Sequence, residues 1–339
     1  MILNIGKYKV GKGQPPFVIA EIGVNHNGDI KLAEKHIIIA KKAGAHAVKF
    51  QTWTKNSLYS ENFLEDKPDF KKDLENYSFS FEQFRKLKKI CDENNILFSA
   101  TPFSFEEVDF LASIKVPFIK IASMDLNNYP FLEYAASKKI PVFLSTGFST
   151  LDEIVKAVDS IKKTGNHKIV LMHCISDYPP VYSELNLNNI KYLDQVFNLP
   201  VGFSDHSTDI LPALYSAAIG ACVVERHFTL DKNLPGWDHA ISCDPEDMAK
   251  LCKELSKINL ILGDFERKVS KEQKSKRNNF RRSMIADCDL KKGETLTLDK
   301  VRFARPATGI SPEQSQFFIG MKLKKNLKKE SIIKKTDFK

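Results

Sequence analysis

Residues 17–52 read FVIAEIGVNHNGDIKLAEKHIIIAKKAGAHAVKFQT, and this stretch contains the repeating unit of the fold. Two short, nearly continuous apolar runs, 17–23 and 46–52, enclose an amphipathic pattern over 31–43. Apolar runs of this kind are typical of strands in a parallel sheet that is covered on both faces. The pattern between them favours a helix that connects the two strands. The stretch therefore predicts one β–α–β unit.

The same unit recurs along the chain as far as about residue 262. The later strand-like runs, separated by helical patterns, are ILFSATP (96–102), FIKIAS (118–123), PVFLSTG (141–147), KIVLMHC (168–174), LPVGFSD (199–205) and CVVERHF (222–228). Eight strands in roughly 250 residues predict a (β/α)8 barrel of the TIM type. A doubly wound open sheet is the alternative fold. The sequence has no G-x-G-x-x-G after its first strand-like run, which counts against that alternative.

The length of 339 residues suits one large domain followed by a small one. We predict the barrel in residues 1–265, an exposed linker in 266–280 and a small β-rich domain in 281–339. Turn signals separate short β-prone runs in the last of these. The segment 53–77 is polar and poorly periodic, so we interpret it as an insertion after the second strand that could cover the site.

The net charge of +9 is compatible with a nucleic-acid partner or with anionic substrates. The densest basic stretches, 268–282 and 322–335, lack interleaved aromatic residues, so we expect solvated surface and no nucleic acid. No run approaches the roughly 18 apolar residues of a membrane span, and no secretory signal segment is recognisable. We therefore expect a cytoplasmic protein without a membrane partner. The six scattered cysteines form no C-x-x-C pair, which favours reduced thiols.

Polar residues stand at the ends of the predicted strands. A barrel collects reactive groups there, because its βα loops form one rim. From the first strand to the eighth, these residues are Glu21, Lys49, Thr101, Lys120 with Ser123, Ser145, Tyr178, Ser204 with Asp205 and His206, and Glu225 with His227. Packing does not explain polar residues at all eight ends. The pattern therefore predicts an active site.

Lys49 and Lys120 interrupt apolar strands. Burial of an ammonium group without a partner is costly, so each lysine needs a fixed anion or a functional role. The alternative is a lysine that reaches the rim or pairs with a glutamate. The hydroxyl groups that would complete an anion cradle are those of Thr101, Ser123, Ser145 and Ser204. This set suits a small, doubly anionic ligand such as phosphoenolpyruvate.

His206 and His227 follow neighbouring predicted strands and could meet across the barrel loops. Two imidazoles with Glu21 and Glu225 nearby suit a divalent ion, with open positions for water and substrate. Mn²⁺ is our first expectation, and Mg²⁺ and Co²⁺ are alternatives. Taken singly, each histidine is more often a hydrogen-bonded structural residue, and their pairing is what favours a metal site.

Motifs along nearly the whole chain occur in a recognisable order. They are EIGVNHNGD, AVKFQT, FIKIAS, LSTG, HCISDYPP, GFSDHS, and ERHFTLDK followed by PGWDHAIS. Together they resemble the sialic acid synthases, which include the N-acetylneuraminate, legionaminate and pseudaminate synthases. The tail RRSMIA…KKGETLT…RPATGI resembles the antifreeze-like (SAF) domain that such synthases carry.

The resemblance implies a role for each matching residue. The residues that match phosphoenolpyruvate contacts are Lys49, Thr101, Lys120, Ser123, Ser145 and Ser204. The residues that match metal ligands, normally of Mn²⁺, are His206 and His227. The residues that match contacts with the acceptor sugar or the reacting centre are Glu21, Tyr178 and Asp238. Arg305 matches an arginine that reaches the partner subunit's barrel, which implies a domain-swapped homodimer. Asn25, in the first βα loop, is predicted to face the sugar, although Asn and Gly are also ordinary turn residues.

The implied reaction joins phosphoenolpyruvate to an N-acetylated hexosamine, for which N-acetylmannosamine is our first expectation. Legionaminate or pseudaminate synthesis from a 2,4-diacetamido-trideoxyhexose is the alternative. The predicted catalytic residues are Glu21, Asp125, His227 and Tyr178, and the choice of proton carrier between Glu21 and Asp125 stays open. Three positions depart from the family pattern: Asp125 where Glu is frequent, Ser176 where Asn is common, and Trp237 where a small or polar residue is expected.

Other functions are weaker interpretations of the sequence. A synthase of seven- or eight-carbon acid sugars would not need the C-terminal domain with Arg305. A non-catalytic sugar- or anion-binding protein would be expected to lack the lysine or histidine pairs, and both pairs are present. A purely structural protein leaves the polar strand ends unexplained.

Overall fold

The computed structural model describes residues 1–54 and 57–339. The chain divides into two compact units, Met1–Gly263 and Asp264–Lys339. Each unit is described by itself.

The first unit alternates strands and helices. Its strands are β1 (Ile2–Ile5), β2 (Tyr8–Gly11), β3 (Phe17–Gly23), β4 (Ala47–Gln51), β5 (Leu97–Thr101), β6 (Ile119–Ile121), β7 (Val142–Ser145), β8 (Ile169–Cys174), β9 (Val201–Asp205) and β10 (Val223–His227). Its helices are α1 (Ile30–Ala43), α2 (Glu61–Glu65), α3 (Pro68–Asn76), α4 (Phe81–Glu93), α5 (Phe105–Ser113), α6 (Tyr129–Ser137), α7 (Leu151–Lys163), α8 (Asn189–Phe197), α9 (Leu211–Ala218), α10 (Pro245–Leu255) and α11 (Ile258–Leu262). Short 3₁₀ turns lie at Ser123–Asp125, Tyr182–Glu184 and His239–Ile241.

Eight parallel strands of the described chain form one sheet in the order β5-β4-β3-β10-β9-β8-β7-β6. At the remaining junction, the Ser99 hydroxyl of β5 donates to the Phe118 carbonyl, just before β6, at 2.7 Å. Every residue of β3, β8, β9 and β10 is buried. The helices cover the outer face of these strands, which accounts for their continuous apolar runs. The predicted (β/α)8 barrel is confirmed.

Local sequence fixes where several helices begin. The Ser80 and Thr150 side chains each accept a hydrogen bond from the backbone N–H three residues later. In turn, the Gln83 and Glu153 side chains accept hydrogen bonds from the backbone N–H groups of Ser80 and Thr150. This capping box satisfies two backbone donors that a helix start leaves unpaired. Such a cap is worth about 1 kcal/mol and holds each helix start close to the loop before it.

The hairpin of β1 and β2 was not predicted from the sequence. Its antiparallel strands carry Leu3, Ile5 and Val10, which pack in one buried cluster with Phe17 and Phe118 from the N-terminal ends of barrel strands. Four-residue strands are too short for a clear period, so the pattern gave no signal. The hairpin covers the N-terminal end of the barrel, which leaves the C-terminal end as the accessible mouth.

The insertion after the second strand was predicted over 53–77 as a poorly periodic segment. Lys55 and Asn56 lie outside the described residues. From Ser57 onward the segment contains α2 and α3, two short helices that its poor periodicity did not indicate. Leu64 and Leu74 are buried with Trp53 in a small apolar cluster of their own, which explains why these short helices form.

The second unit contains α12 (Lys271–Phe280), β11 (Ser283–Ala286) and β12 (Val301–Ala304), with 3₁₀ turns at Leu298–Lys300, Pro312–Phe317 and Lys335–Asp337. The strands β11 and β12 pair antiparallel over a core that includes Met284, Leu296 and Leu323. The part of the chain predicted as a linker, 266–280, therefore contains a helix, and every side chain of that helix is exposed.

Across the part of the chain that the structure describes, every helix is too short or too polar to span a lipid bilayer.

Candidate active site

The C-terminal ends of the barrel strands surround a cavity of about 260 Å³. The residues predicted for the site that line it are Glu21, Lys49, Thr101, Lys120, Ser123, Ser145, Tyr178, Ser204, His206 and His227. Parallel strands bring these residues together because each contributes the last residues before its loop. The cavity therefore combines two ammonium groups, two imidazoles and several hydroxyl groups in one small volume.

The two lysines form a buried charge cluster with two glutamates. Lys49 Nζ lies 2.7 Å from Glu21 Oε2 and 3.9 Å from Glu225 Oε1, and Lys120 Nζ lies 3.8 Å from that same Glu225 oxygen. Lys49 also donates to Thr101 Oγ1 at 3.0 Å, and Lys120 donates to the Ser145 hydroxyl. Each lysine is thus paired with a carboxylate, as in the alternative interpretation, and also bonded to a hydroxyl group of the predicted anion cradle.

Burial and pairing act against each other in this cluster. Burial raises the pKa of Glu21 to about 7, even though Lys49 lies beside it and lowers it. Burial, the largest single influence, raises the pKa of Glu225, but Lys120, Lys49 and the hydrogen bond from Ser204 together hold it below its ordinary value. For Lys120, burial lowers the pKa. Glu225 is therefore the fixed negative charge of the cavity, whereas Glu21 can gain or lose a proton near neutral pH.

The His206 and His227 rings face the cavity with their centroids 5.6 Å apart. His206 Nδ1 lies 2.7 Å from the Ile175 carbonyl oxygen, which only accepts, so Nδ1 carries the hydrogen and Nε2 keeps its lone pair. His227 Nδ1 is buried and has no hydrogen-bond partner among the described residues, with Asp238 Oδ2 3.5 Å away. Burial lowers the pKa of His206 to about 4 and that of His227 to about 3, so both rings are neutral at pH 7.

Neutral imidazoles with free lone pairs are suitable metal ligands. In residues 1–54 and 57–339, no three His, Cys, Asp or Glu side chains are grouped so that they alone could hold a metal ion. A divalent ion on His206 and His227 would therefore take its other ligands from water or substrate. The donor set fits an ion of the Mn²⁺ type under that condition.

A second convergence of polar groups lies over Gly23, at the end of β3. A Cβ atom at Gly23 would lie 3.2 Å from Glu21 Oε1, 3.5 Å from Gln51 Nε2 and 3.7 Å from Asp238 Oδ2. Gln51 donates to Glu21 Oε1 at 3.2 Å, whereas Asp238 arrives from the loop after β10. The backbone at Gly23 has φ +53°, which glycine adopts without strain. The close approach of Glu21 Oε1 and the positive φ angle together explain why a glycine occupies this position.

Tyr178 stacks on one of the imidazoles at the mouth. Its ring centroid lies 4.1 Å from that of His206, at an interplanar angle of 27°. The Tyr178 residue is 51% exposed, so its hydroxyl can reach a ligand at the mouth. A phenol, with an ordinary pKa of about 10, is protonated at neutral pH and is available as a hydrogen-bond donor.

Three residues of the first unit that were predicted for the site do not line the cavity: Asn25, Asp125 and Asp238. Asn25 is buried and donates to the Phe228 carbonyl at 3.0 Å and to Ser242 Oγ at 2.8 Å, so its amide joins the first βα loop to the segment after β10. Asp125 is half-buried, and its Oδ2 has no hydrogen-bond partner among the described residues. Arg305 belongs to the second unit, where its guanidinium lies 5.2 Å from the Phe280 ring centroid.

The structure also adds residues that the sequence did not suggest. Gln51, Phe103, Met124, Phe148 and Cys174 line the cavity. Met124 is 60% exposed and Phe148 is 79% exposed, so the mouth carries apolar surface open to solvent. Gln51 follows Lys49 by two residues at a strand end and could have been found by the rule that located Lys49. The apolar residues lie on loops, where a sequence gives no period to follow.

A (β/α)8 barrel that collects buried lysines and neutral histidines at the C-terminal ends of its strands has the arrangement of a TIM-barrel enzyme. Comparison with known families makes the assignment specific. The NeuB family matches residues 36–267, and the SAF domain matches residues 281–339. The chain belongs to the NeuB family and carries a C-terminal SAF domain.

Relatives and solved structures agree with this assignment. The N,N'-diacetyllegionaminic acid synthase of Legionella pneumophila is 37% identical over 332 residues, which cover 94% of this chain and 93% of the relative. The pseudaminic acid synthase of Campylobacter jejuni is 34% identical over 346 residues, which cover 99% of this chain and 100% of the relative. The crystal structure of an N-acetylneuraminic acid (sialic acid) synthetase from Leptospira borgpetersenii, in complex with citrate, superposes with a TM-score of 0.76 and 36% identity over 81% of this chain and 95% of that chain. The predicted family and both parts of the predicted fold class are confirmed.

Proposed function

We propose that the protein is a synthase of sialic-acid-type sugars. It condenses phosphoenolpyruvate with an N-acetylated hexosamine and water, and it releases a nine-carbon acid sugar and phosphate. The observation that carries the proposal is the convergence of Lys49, Lys120, His206 and His227 on one cavity of about 260 Å³. Family membership gives the reaction its prior support, because the relatives are named as synthases of such sugars.

The anion cradle is the part of the cavity suited to phosphoenolpyruvate. The ligand carries a phosphate and a carboxylate, and the Lys49 and Lys120 ammonium groups supply two fixed point charges for them. Thr101 and Ser145 accept hydrogen bonds from these ammonium groups, so each hydroxyl keeps its hydrogen to donate to the ligand, and Ser123 adds a third hydroxyl group. Ser204 donates to Glu225 Oε1 at 3.0 Å and would have to turn from it to donate to the ligand. Preorganised donors in a buried site hold an anion more strongly than they would in water.

His206 and His227 would hold the divalent ion, with Mn²⁺ as the first candidate. When bound, such an ion supplies Lewis-acid polarisation of a carbonyl oxygen and two positive charges. The positive charge of the ion matters because the charges of Lys49 and Lys120 are already partly balanced by Glu21 and Glu225. A ligand with two anionic groups is therefore better balanced when the histidine pair contributes further positive charge.

The reaction forms a C–C bond and a C–O bond to water, and it breaks the C–O bond to phosphate. Carbon 3 of phosphoenolpyruvate attacks the aldehyde carbon of the open-chain sugar, and positive charge develops at carbon 2. Water adds at carbon 2, and the C–O bond to phosphate breaks as carbon 2 becomes a carbonyl. One proton of the water passes to the former aldehyde oxygen, and a single carboxyl group can carry it; the other proton leaves with the phosphate.

Glu21 is better supported than Asp125 as this proton carrier. Glu21 lines the cavity and touches Lys49, whereas Asp125 stands on the neighbouring 3₁₀ turn and does not line it. A pKa of about 7 also lets Glu21 exchange a proton at neutral pH. Tyr178, at the mouth beside His206, is a candidate donor to the sugar.

The acceptor is a matter for experiment. The relatives named for different products match this chain at similar identity, 37%, 34% and 36%, so their names do not discriminate among acceptors. N-acetylmannosamine is the first candidate from the sequence. The exposed Met124 and Phe148 at the mouth favour the second candidate, a 2,4-diacetamido-trideoxyhexose, because that sugar carries an additional methyl-bearing group and fewer hydroxyls.

We extend the proposal to assembly. Family resemblance supports a domain-swapped homodimer in which Arg305 contacts the acceptor's N-acyl group in the partner's barrel. Each site would then be completed by an arginine of the other copy.

The decisive experiment incubates the protein with phosphoenolpyruvate, Mn²⁺ and a panel of hexosamines, and measures phosphate release and the mass of the sugar product. We expect phosphate release that depends on the acceptor and on the ion. Phosphate release at the same rate without any acceptor, or none with every acceptor, would overturn the proposal.

A further inference from the structure

The sequence contains two tryptophans, and each stands next to a polar residue whose side chain lies near Gly23. Trp53 follows Gln51 by two residues, and Trp237 directly precedes Asp238. A Cβ atom at Gly23 would lie 3.5 Å from Gln51 Nε2 and 3.7 Å from Asp238 Oδ2. The two loops involved flank one strand, because β4 and β10 are the neighbours of β3 in the barrel. Each tryptophan is thus placed to hold one of these two side chains.

The two indoles belong to one aromatic stack. The Trp237 ring lies 5.3 Å from that of Phe70 on α3, at 17°, and 6.4 Å from that of Trp53, at 25°. Tyr77 meets Trp237 edge-on at 5.3 Å. Trp53 is 3% exposed and donates from its indole nitrogen to the Leu74 carbonyl at 3.3 Å, so it is anchored to the end of α3.

The loop that carries Trp237 is held from its other side by the first βα loop. Asn27 donates to the Pro235 carbonyl at 2.8 Å, and its amide oxygen lies 3.2 Å from His239 Nε2. These bonds fix Pro235 and His239, on either side of Trp237 and Asp238. They do not hold the tip of the loop, where Trp237 lies. The contact of Trp237 with Phe70 and Trp53 holds that tip.

The chemistry of the contact suits a clasp. Trp237 is 41% exposed, so it is not a fully buried core residue, and one face of its ring is committed to the stack. Offset stacking of aromatic rings is directional as well as apolar, so it fixes the angle at which two segments meet. A small residue at this position, as the family pattern leads one to expect, would leave α3 and the loop after β10 without this contact.

We propose that Trp237 is a positioning residue, which clasps the 57–77 segment to the loop after β10 and so sets the spacing of Gln51 and Asp238 over Gly23. The inference rests on the proposed function only for the identity of the ligand near Gln51 and Asp238, the acceptor sugar. The clasp, which is the contact of Trp237 with Phe70 and Trp53, does not depend on that function. It predicts that the acceptor side of the reaction depends on Trp237, whereas the anion cradle around Lys49 and Lys120 does not.

The clasp is tested first without any activity. Trypsin can reach Lys72, which is exposed on α3 and is followed by Asp73. We expect Trp237→Ala to increase the rate of cleavage after Lys72 by about tenfold under native conditions, because the segment opens more often. Trp237→Phe keeps a stacking ring and should cleave at nearly the wild-type rate. Tyr215→Ala, an exposed aromatic on α9, is the matched control. Equal cleavage in all four proteins would overturn the clasp.

The positioning role is tested next by kinetics. For Trp237→Ala we expect the acceptor KM to rise about tenfold and kcat to fall, with the phosphoenolpyruvate KM unchanged within about twofold. Trp237→Phe should restore most of the acceptor KM. A residue that only stabilises the fold would lower the melting temperature and the amount of active enzyme without separating the two KM values, and that outcome would overturn the positioning role. If the wild-type protein makes no product with any acceptor, the proposed function fails, and the proteolysis result still decides the clasp.

Discussion

Glu21 and Lys49 stand directly opposite each other on adjacent parallel strands, and their side chains meet at 2.7 Å inside the barrel. Both side chains are almost fully buried. Loss of one partner of a buried pair is costly because it leaves the other charge without compensation. A change at either residue should therefore affect both the stability of the fold and the reaction.

A double-mutant cycle measures this link. We expect Lys49→Met to lower the free energy of unfolding by about 3 kcal/mol and to abolish phosphate release. Glu21→Gln should cost less, because Lys49 still has Glu225 within 3.9 Å. The double variant should be more stable than the sum of the single losses predicts, by about 1–2 kcal/mol. Urea unfolding of the four proteins gives the coupling energy, and strictly additive losses would show that the pair does not interact as the distances indicate.

The residues of this pair show what the sequence could predict. Glu21, Lys49, His206 and His227 were found because a parallel barrel brings the last residue of each strand to one rim, and that rule needs only the strand positions. Asn25 was predicted to face the sugar; in the structure its amide donates to the Phe228 carbonyl and to the Ser242 hydroxyl. Spacing along a chain does not show which way a loop side chain turns.

The features missed by the sequence share a physical cause. The β1–β2 hairpin, the exposed Phe148 and the stack of Trp53 with Trp237 all depend on contacts between segments far apart in the chain. Periodicity records which face of one element is buried, and it carries no information about which distant loop covers it. Trp237 was noticed as a departure from the family pattern, but its partner on α3 could only be seen in three dimensions.

The histidine pair predicts a metal-dependent reaction. We expect His227→Ala and His206→Ala to abolish phosphate release and to weaken Mn²⁺ binding by at least about tenfold, with the fold retained. Titration calorimetry with Mn²⁺ alone measures binding independently of turnover. His167→Ala, at an exposed histidine outside the site, is the matched control and should bind Mn²⁺ as the wild type does. Full activity of the wild type in metal-depleted buffer would contradict the metal role.

Stability should fall in mild acid because His46 is held neutral in the folded protein. His46 Nδ1 accepts a hydrogen bond from the Val18 N–H at 2.8 Å, and burial lowers the pKa of the ring to about 4 from its ordinary 6.5. The unfolded chain therefore binds a proton below about pH 6.5, whereas the folded chain does so only near pH 4. The contribution is complete above pH 6.5 and is lost as the pH falls towards 4, with a loss of about 2 kcal/mol by pH 5.

His46→Asn tests this assignment, because an amide oxygen can accept the Val18 N–H and does not titrate. We expect urea unfolding at pH 7.5 and pH 5 to show a smaller difference for the variant than for the wild type. Some pH dependence should remain, because burial also lowers the pKa of His26 to about 3 and that of His36 to about 4. His167→Asn should leave the difference unchanged. An identical pH dependence in the wild type and His46→Asn would remove His46 from the explanation.

The proposed domain-swapped dimer makes a prediction that no monomer can satisfy. Lys120→Ala damages the barrel cavity of its own chain, whereas Arg305→Ala would, on this proposal, damage the site of the partner. Each variant alone should release phosphate at under about 1% of the wild-type rate. After unfolding and refolding together, half of the dimers are mixed, and each mixed dimer has one undamaged site. Activity should therefore return to about a quarter of the wild-type value.

The recovery separates an arginine that acts across the dimer from one that acts within its own chain. If Arg305 contacts the substrate in the barrel of its own chain, each variant damages its own site. Both sites of a mixed dimer are then damaged, and mixing restores no activity. Sedimentation of the mixture confirms that dimers have formed, so a failure to recover activity cannot be assigned to monomers. A mixture of Lys120→Ala with Lys49→Met is the control, because both changes damage the barrel of their own chain and no combination of copies repairs it. Recovery in the first mixture and none in the second would place Arg305 in the partner's site.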